Sequence, residues 1–129
     1  MHTRKQDLAE IKMLTDRRSF LDIQSNGQKW VSHGLVVQIK ENNLGLRRIG
    51  FTVSKKIDKS AVKRNRIKRR LRAVASDVLS AYARDGCDYI LVGKKSSAAR
   101  PYDSMVNDLK WCLKKTGYYH KTERDNEKG

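Results

Sequence analysis

The most constraining feature of this sequence is a long amphipathic repeat in the middle of the chain. Five apolar residues recur there at spacings of four, three, four and four: Ile67, Leu71, Val74, Val78 and Tyr82. Such spacings place all five side chains on one stripe of an α-helix. We therefore expect a helix from Ser60 to about Arg84, ended by Gly86, with its apolar stripe packed on a core.

The other face of this predicted helix is basic. Residues 55–72 hold ten Lys or Arg residues against one acid, Asp58, and so carry nine of the chain's fifteen excess positive charges. At about 100° per residue, four polar or basic side chains lie roughly opposite the stripe: Asn65, Lys68, Arg69 and Arg72. Surface helices usually intersperse acids among their cations, and cations in the first turns oppose the helix dipole. The sequence thus predicts a surface that binds phosphate groups.

Two shorter helices are predicted, one near each end of the chain. Thr15 or Asp16 can cap the first, which carries Phe20 and ends near Asn26-Gly27. Pro101 opens the last helix. The inward side of that last helix is predicted to carry apolar residues: Met105, Leu109 and Cys112 or Leu113. The order of elements therefore begins and ends with a helix.

Three strands are predicted from alternating or continuous apolar residues. The first runs from Lys29 to Lys40, the second covers about residues 49–54, and the third runs from Cys87 to Gly93. Because Glu41-Asn42-Asn43 supplies turn chemistry, we expect the first two strands to pair antiparallel. The second and third strands are separated by the long helix, so we expect them to pair in parallel.

Length and composition indicate one α+β domain in a cytoplasmic protein. We expect the domain to cover residues 14–117, with polar tails at residues 1–13 and 118–129. No apolar run is long enough for a membrane span or a secretory signal, which predicts a cytoplasmic location and no membrane partner. Cys87 and Cys112 lack metal-binding spacing, so we expect free thiols.

The sequence offers no evident set of side chains for catalysis. Phosphodiester hydrolysis by a protein usually needs clustered carboxylates or a pair of histidines. We therefore predict no catalytic and no metal-binding residues. The absence of helix-turn-helix spacing, zinc ligands or a leucine zipper favours RNA over DNA as the polyanion. A ribosomal-type or chaperone-like RNA-binding protein and a DNA-binding regulator remain alternatives.

Two neighbouring segments resemble a known family. They read Arg48-Ile49-Gly50-Phe51-Thr52-Val53-Ser54-Lys55-Lys56 and Ala61-Val62-Lys63-Arg64-Asn65-Arg66-Ile67-Lys68-Arg69. With Phe20 to Gly27 before them, and Asp88 to Val92 leading to Tyr102 after them, the chain resembles the bacterial ribonuclease P protein component over residues 14–115. The resemblance implies one α/β sandwich of order α-β-β-β-α-β-α. It also implies four strands and a left-handed β-α-β crossover through the basic helix.

The same resemblance implies a function. In that family a partner RNA cleaves the 5′ leader from precursor tRNA and requires magnesium. The protein, which holds no cofactor alone, helps that RNA to bind substrate and magnesium. Catalytic ribonuclease P RNA and precursor tRNA would then be the partners, and DNA would not.

Site residues follow from the resemblance together with the basic run. Eight residues are predicted to contact RNA: Lys55, Lys56, Arg64, Asn65, Arg66, Lys68, Arg69 and Arg72. Five are predicted to line a cleft for the leader: Phe20, Val36, Gln38, Thr52 and Ser54. Some relatives carry aromatic residues where this chain has Gln24 and Gln38, so we expect weaker stacking of leader bases.

Overall fold

The structure is a computed structural model that describes residues 11–119. Within them, five strands form one mixed sheet: β1 (Ile11–Met13), β2 (Gln28–Val31), β3 (Leu35–Glu41), β4 (Arg47–Thr52) and β5 (Cys87–Gly93). Three helices pack on it: α1 (Arg17–Asn26) on one face, and α2 (Ala61–Tyr82) and α3 (Tyr102–Thr116) on the other. A short 3₁₀ turn, Lys95–Ala98, follows β5. The predicted α+β class is confirmed.

The strands lie in the order β1-β4-β5-β3-β2, which puts the last strand of the chain in the centre. β5 pairs in parallel with β4 and antiparallel with β3. At the edges, β1 is parallel to β4 and β2 is antiparallel to β3. The parallel pairing predicted across the long helix is therefore confirmed. The left hand of that crossover stays a prediction from the resemblance.

Two predictions about the strands are wrong. Residues 29–40 are not one strand, because the chain turns at Ser32, whose N–H and hydroxyl both donate to the Leu35 carbonyl at 3.0 and 2.6 Å. The expected antiparallel pairing of the first two predicted strands does not form either, since β5 lies between β3 and β4. The described part of the chain has five strands. The apolar patterns indicated three strands, and the resemblance implied four.

The folded part extends past the predicted domain boundaries at both ends. β1 comes from the predicted N-terminal tail and pairs with β4. At the other end Tyr118 is buried, and Tyr119 forms a bridge with Ala83. The remainder of the two predicted tails, residues 1–10 and 120–129, lies outside the described residues.

The long helix has the predicted orientation. The Ser60 hydroxyl accepts a hydrogen bond from the Lys63 N–H at 3.3 Å and caps the start of α2. The apolar stripe packs into the core: Ile67, Leu71, Val74 and Val78 are buried and Tyr82 is partly buried. α3 buries its predicted core residues: Met105, Leu109, Cys112 and Leu113. α2 ends at Tyr82, slightly earlier than expected, and Gly86 forms the turn before β5 with a φ of +74°. Burial of the stripe fixes which face of α2 meets solvent.

Candidate nucleic-acid interface

The outer face of α2 presents the cations that the sequence predicted there. We call its polar side chains the basic ridge: Asn65, Arg66, Lys68, Arg69 and Arg72, of which Lys68 is half-buried and the others are exposed. Among residues 11–119, none of the five side chains forms a hydrogen bond or an ion pair. The first turn of α2 holds no acid. The ridge therefore keeps its positive charge uncompensated, as a phosphate-binding surface requires.

Arg64 and Arg72 are also held in place by the fold. The Arg64 guanidinium donates to the carbonyl oxygens of Asp58 and Lys59, at 2.8 and 2.9 Å, and so fixes the loop before α2. The Arg72 guanidinium lies 5.5 Å from the centre of the Phe51 ring. Each of these arginines has further N–H groups, so both can orient a guanidinium toward RNA while keeping these contacts.

A shallow cleft lies on the other face of the sheet, where β4 and β5 end. Strand register puts Thr52 of β4 and Val36 of β3 on either side of Val92 of β5. Paired residues of neighbouring strands face the same side, so these three side chains form one floor about 10 Å across. Two of the predicted cleft residues therefore lie together. Val92 was missed, because a continuously apolar strand gives no sign of which residues face outward.

Helix α1 forms one wall of this cleft. Asp16 caps the helix by accepting the Ser19 N–H at 3.1 Å, and the hydrogen bonds from Ser19 hold the pKa of Asp16 below its usual range. Phe20 then lies over Gly50 of β4. A Cβ atom on Gly50 would be 2.4 Å from Phe20 Cζ, so only glycine lets the ring approach the sheet this closely. The predicted cleft residue Phe20 is thus positioned by the glycine of the β4 motif.

Gln38 lies one row further along the sheet. It pairs with Ile90 of β5 and with Lys29 of β2, and it is 8% exposed. Within the described residues its Oε1 atom has no hydrogen-bond partner. Lys29 is exposed and adds a cation to the same face, which the predicted single long strand did not reveal.

The loop between β4 and α2 connects the cleft to the basic ridge. Ser54, Lys55 and Lys56 are exposed in this loop, and a turn closes between the Ile57 N–H and the Ser54 carbonyl at 3.0 Å. Asp58, the one acid of the basic run, accepts the N–H of Ser60 at 2.9 Å. The thirteen predicted site residues therefore lie on α2, in the cleft, and in this loop, which holds Ser54, Lys55 and Lys56.

Two acids on the cleft face are paired with cations. The buried Asp88 carboxylate accepts two hydrogen bonds from Arg48, at 2.7 and 2.6 Å, and one from Asn42 at 2.7 Å. The bond to Asp88 raises the pKa of Arg48. Asp22 of α1 pairs with Lys40, and this hydrogen bond lowers the pKa of Asp22. These carboxylates therefore present little free negative charge to a phosphate strand in the cleft.

Comparison with known proteins decides the family. The family model described as Ribonuclease P matches residues 8–117 of this chain. The chain belongs to the ribonuclease P protein family. A curated ribonuclease P protein component from Paramagnetospirillum magneticum is 38% identical over 122 residues, which cover 88% of this chain and 89% of the relative. Another from Ruegeria pomeroyi is 39% identical over 109 residues, covering 81% and 86%.

Solved structures share the fold of this ribonuclease P protein family member. The RNase P protein of Staphylococcus aureus matches with a TM-score of 0.70 at 24% identity, covering 84% of this chain and 97% of that one. The Thermotoga maritima protein gives 0.69 at 24% identity, with coverages of 81% and 96%. At such identities the likeness supports the fold alone.

The role of a ribonuclease P protein component in tRNA processing, expected from the sequence, is confirmed by the family and its relatives.

Cys87 and Cys112 are free thiols and both are buried. In the described part of the chain, no group of three or more His, Cys, Asp or Glu side chains could hold a metal ion. No helix between residues 11 and 119 is long and apolar enough to span a bilayer. Which molecule each site residue contacts stays a prediction.

Proposed function

We propose that the chain binds the catalytic RNA of ribonuclease P along the basic ridge and holds the 5′ leader of precursor tRNA in the cleft. The observation that carries the proposal is the uncompensated charge of the ridge, on a helix whose opposite stripe is buried. A helix fixed in this way presents its cations at constant spacing. Folded RNA, which displays phosphates and 2′-hydroxyls in a fixed geometry, suits such a surface.

The cleft favours a single strand. Its floor of Thr52, Val92 and Val36 is about 10 Å across and carries no charged side chain. Phe20 offers a ring for one base, and such stacking contributes about 1–3 kcal/mol per base. Gln38 stands where some relatives carry a ring and is only 8% exposed, so we expect weaker stacking of leader bases there.

In this proposal the protein supplies charge and position, and the RNA supplies the chemistry. Ridge cations neutralise phosphates of the RNA partner, and a leader held in the cleft is fixed relative to that RNA. The cleft is lined by Thr, Val, Gln, Ser and Phe side chains, which are poor general acids and bases. We therefore assign hydrolysis and the magnesium requirement to the RNA, and we place the assembly in the cytoplasm.

Reconstitution tests the proposal. The purified chain alone should leave precursor tRNA intact, and it should restore cleavage at low magnesium when added to the ribonuclease P RNA of the same organism. The double change Arg66→Ala and Arg69→Ala should weaken the affinity for that RNA. Phe20→Ala should weaken binding of substrate that carries a leader. The double change Lys110→Ala and Lys114→Ala, which removes two cations near Tyr82 and Tyr119 instead, is the matched control and should behave as the parent chain.

Two outcomes contradict the proposal. A chain that binds many RNAs without changing a cleavage rate is a ribosomal-type or chaperone-like RNA-binding protein. A chain that prefers a DNA duplex over structured RNA at equal salt concentration is a DNA-binding regulator. Competition binding with labelled structured RNA distinguishes the second outcome from the first.

A further inference from the structure

A second recessed surface lies at the β2 edge of the sheet, outside the thirteen predicted site residues. It is a pocket of about 640 Å³ between the end of β2, the residue after β5 and the outer side of α3. Six residues line it below the rim: Ser32, His33, Lys94, Asn107, Asp108 and Trp111. Val31 stands at the rim. We call it the tryptophan pocket.

The two apolar residues of the tryptophan pocket are open to solvent. Trp111 is 44% exposed and Val31 is 52% exposed. Trp30 of β2 packs beside Trp111, with ring centres 5.8 Å apart and ring planes at 59°. This tilted contact holds the Trp111 ring in one orientation without covering it. A partly exposed indole is a surface on which a flat ligand can stack.

The charges of the pocket favour an anionic ligand. Asp108 is the one acid of the lining, and both its oxygens accept hydrogen bonds from Arg100, at 2.6 and 3.0 Å. Lys94 uses one donor on the Ser32 carbonyl at 2.7 Å, which leaves two of its three N–H groups for a ligand. The Lys115 ammonium lies 5.9 Å from the Trp111 ring. A nucleotide provides both the flat base and the negative phosphate that these groups suit.

The tryptophan pocket adjoins the cleft across the edge strand β2. Val31 of β2 pairs with Val36 of β3, which pairs with Val92 of β5, so the row that forms the cleft floor ends at the pocket rim. From Thr52 to Val31 this row crosses three strand spacings, or about 14 Å. Trp111 belongs to α3, on the other side of the sheet, so an RNA strand that follows the row past Phe20 and Val31 bends around the edge strand β2 to reach the pocket.

We propose that the tryptophan pocket is a second base-binding subsite, in which a nucleotide of the single-stranded leader stacks on Trp111. This subsite rests on the function proposed above, since it needs a leader in the cleft. Short leaders end before the pocket and long leaders fill it. The contribution of Trp111 to binding is therefore expected to depend on leader length.

Tryptophan fluorescence can report on this pocket, because Trp30 and Trp111 are the only tryptophans of the chain. A single-stranded RNA of about ten nucleotides, within the range of sites that bind single strands, should quench the tryptophan emission. Quenching should persist in Trp30→Phe, whose emission comes from Trp111 alone. An oligonucleotide that binds the chain and leaves this emission unchanged would overturn the proposal.

The decisive measurement is the affinity of the reconstituted complex for precursor tRNAs of graded leader length. Trp111→Ala should weaken binding of long-leader substrate about five- to 150-fold, the contribution of one stacked base. Binding of leaderless and short-leader substrates should not change. Trp111→Phe should recover most of the loss, because a ring remains. Leu44→Ala, at a similarly exposed apolar residue between β3 and β4, is the control and should match the parent chain.

The outcomes separate this subsite from the function on which it rests. If no leader of any length improves binding to the parent complex, the cleft assignment fails and the subsite fails with it. If leaders help and Trp111→Ala weakens every substrate equally, or none, only the subsite is wrong. If Trp111→Ala instead dissociates a concentration-dependent dimer, the pocket binds a second copy of the chain and the subsite is also wrong.

Discussion

Arg69 and Arg70 are neighbours in α2 that should behave oppositely when each is changed to alanine. Arg69 is exposed and, within the described residues, forms no hydrogen bond or ion pair. Arg70 is half-buried and donates to the Ser97 carbonyl at 2.7 Å and to the Arg100 carbonyl. Both variants remove one positive charge from the same turn of the same helix. Their comparison therefore separates RNA binding from folding.

The expected magnitudes follow from these contacts. Arg69→Ala should change the free energy of unfolding by less than about 0.5 kcal/mol, as at ordinary surface positions. It should reduce the slope of log affinity against log salt concentration by about 0.7–0.9, the value of one phosphate contact. Arg70→Ala should lower the free energy of unfolding by about 2–3 kcal/mol, because two partly buried carbonyls lose a charged donor. Its salt slope should stay close to that of the parent chain.

Urea denaturation gives the free energies of unfolding, and filter binding to ribonuclease P RNA over a range of salt concentrations gives the slopes. The affinity of the Arg70→Ala variant for ribonuclease P RNA is measured without urea, under conditions in which the variant is folded. The reasoning is refuted if Arg69→Ala unfolds the chain while Arg70→Ala flattens the salt dependence. That result would mean that α2 is rotated on the sheet relative to the structure.

Three further changes test other parts of the molecule. Leu71→Ala should cost about 2–5 kcal/mol in urea denaturation, as expected of a fully buried leucine. Gly50→Ala would put a Cβ atom 2.4 Å from Phe20 Cζ, so binding assays should show weaker affinity for leader-bearing substrate and unchanged affinity for leaderless substrate. Lys40 lowers the pKa of Asp22 below its ordinary 3.8, so this carboxylate stabilises the fold above that pH and the effect is lost as pH falls through the lowered pKa. Asp22→Asn should remove this part of the acid sensitivity when urea midpoints are measured in acid.

The helices could be predicted because their signals are local. The stripe that starts at Ile67 and the cap at Ser60 lie within the segment that folds, and both are present in α2. The end of α2 was placed too late because it depends on a residue from another element. Arg47 of β4 donates to the carbonyl oxygens of Leu79 and Ser80, at 2.7 and 3.2 Å, and binds the last turn. Helical periodicity carries no information about that contact.

Strand pairing could not be predicted in the same way. Apolar residues stand on both sides of Ser32-His33-Gly34, so the apolar pattern alone did not reveal the turn there. Turn chemistry after Glu41 suggested a hairpin, yet β5 arrives from far along the chain and takes the place beside β3. β1 is a three-residue strand in a polar segment and is recognisable only by its pairing with β4.

The candidate site likewise has one part set by local sequence and one part assembled from distant segments. The basic ridge lies on one helix, and a helical wheel was enough to place Arg69 outside and Leu71 inside. The cleft is assembled from α1 and several strands, so its predicted members came from the resemblance, and Val92 and Lys29 were missed. Trp111 was missed for a related reason, because the pocket exists only where α3 meets the end of β2.

The basic ridge and the buried stripe belong to one helix, so the proposed RNA binding and folding are coupled through α2. Cations near the start of a helix oppose its dipole, at a cost of about 0.3–1 kcal/mol each at exposed sites. No acid in the first turn of α2 offsets this cost, which the Ser60 cap and the burial of the stripe must outweigh. In the proposed complex, phosphates bound near the start of α2 offset this cost. In the proposed complex, RNA that binds the folded chain and not the unfolded chain also stabilises the fold, by an amount that rises with the ratio of the free RNA concentration to its Kd.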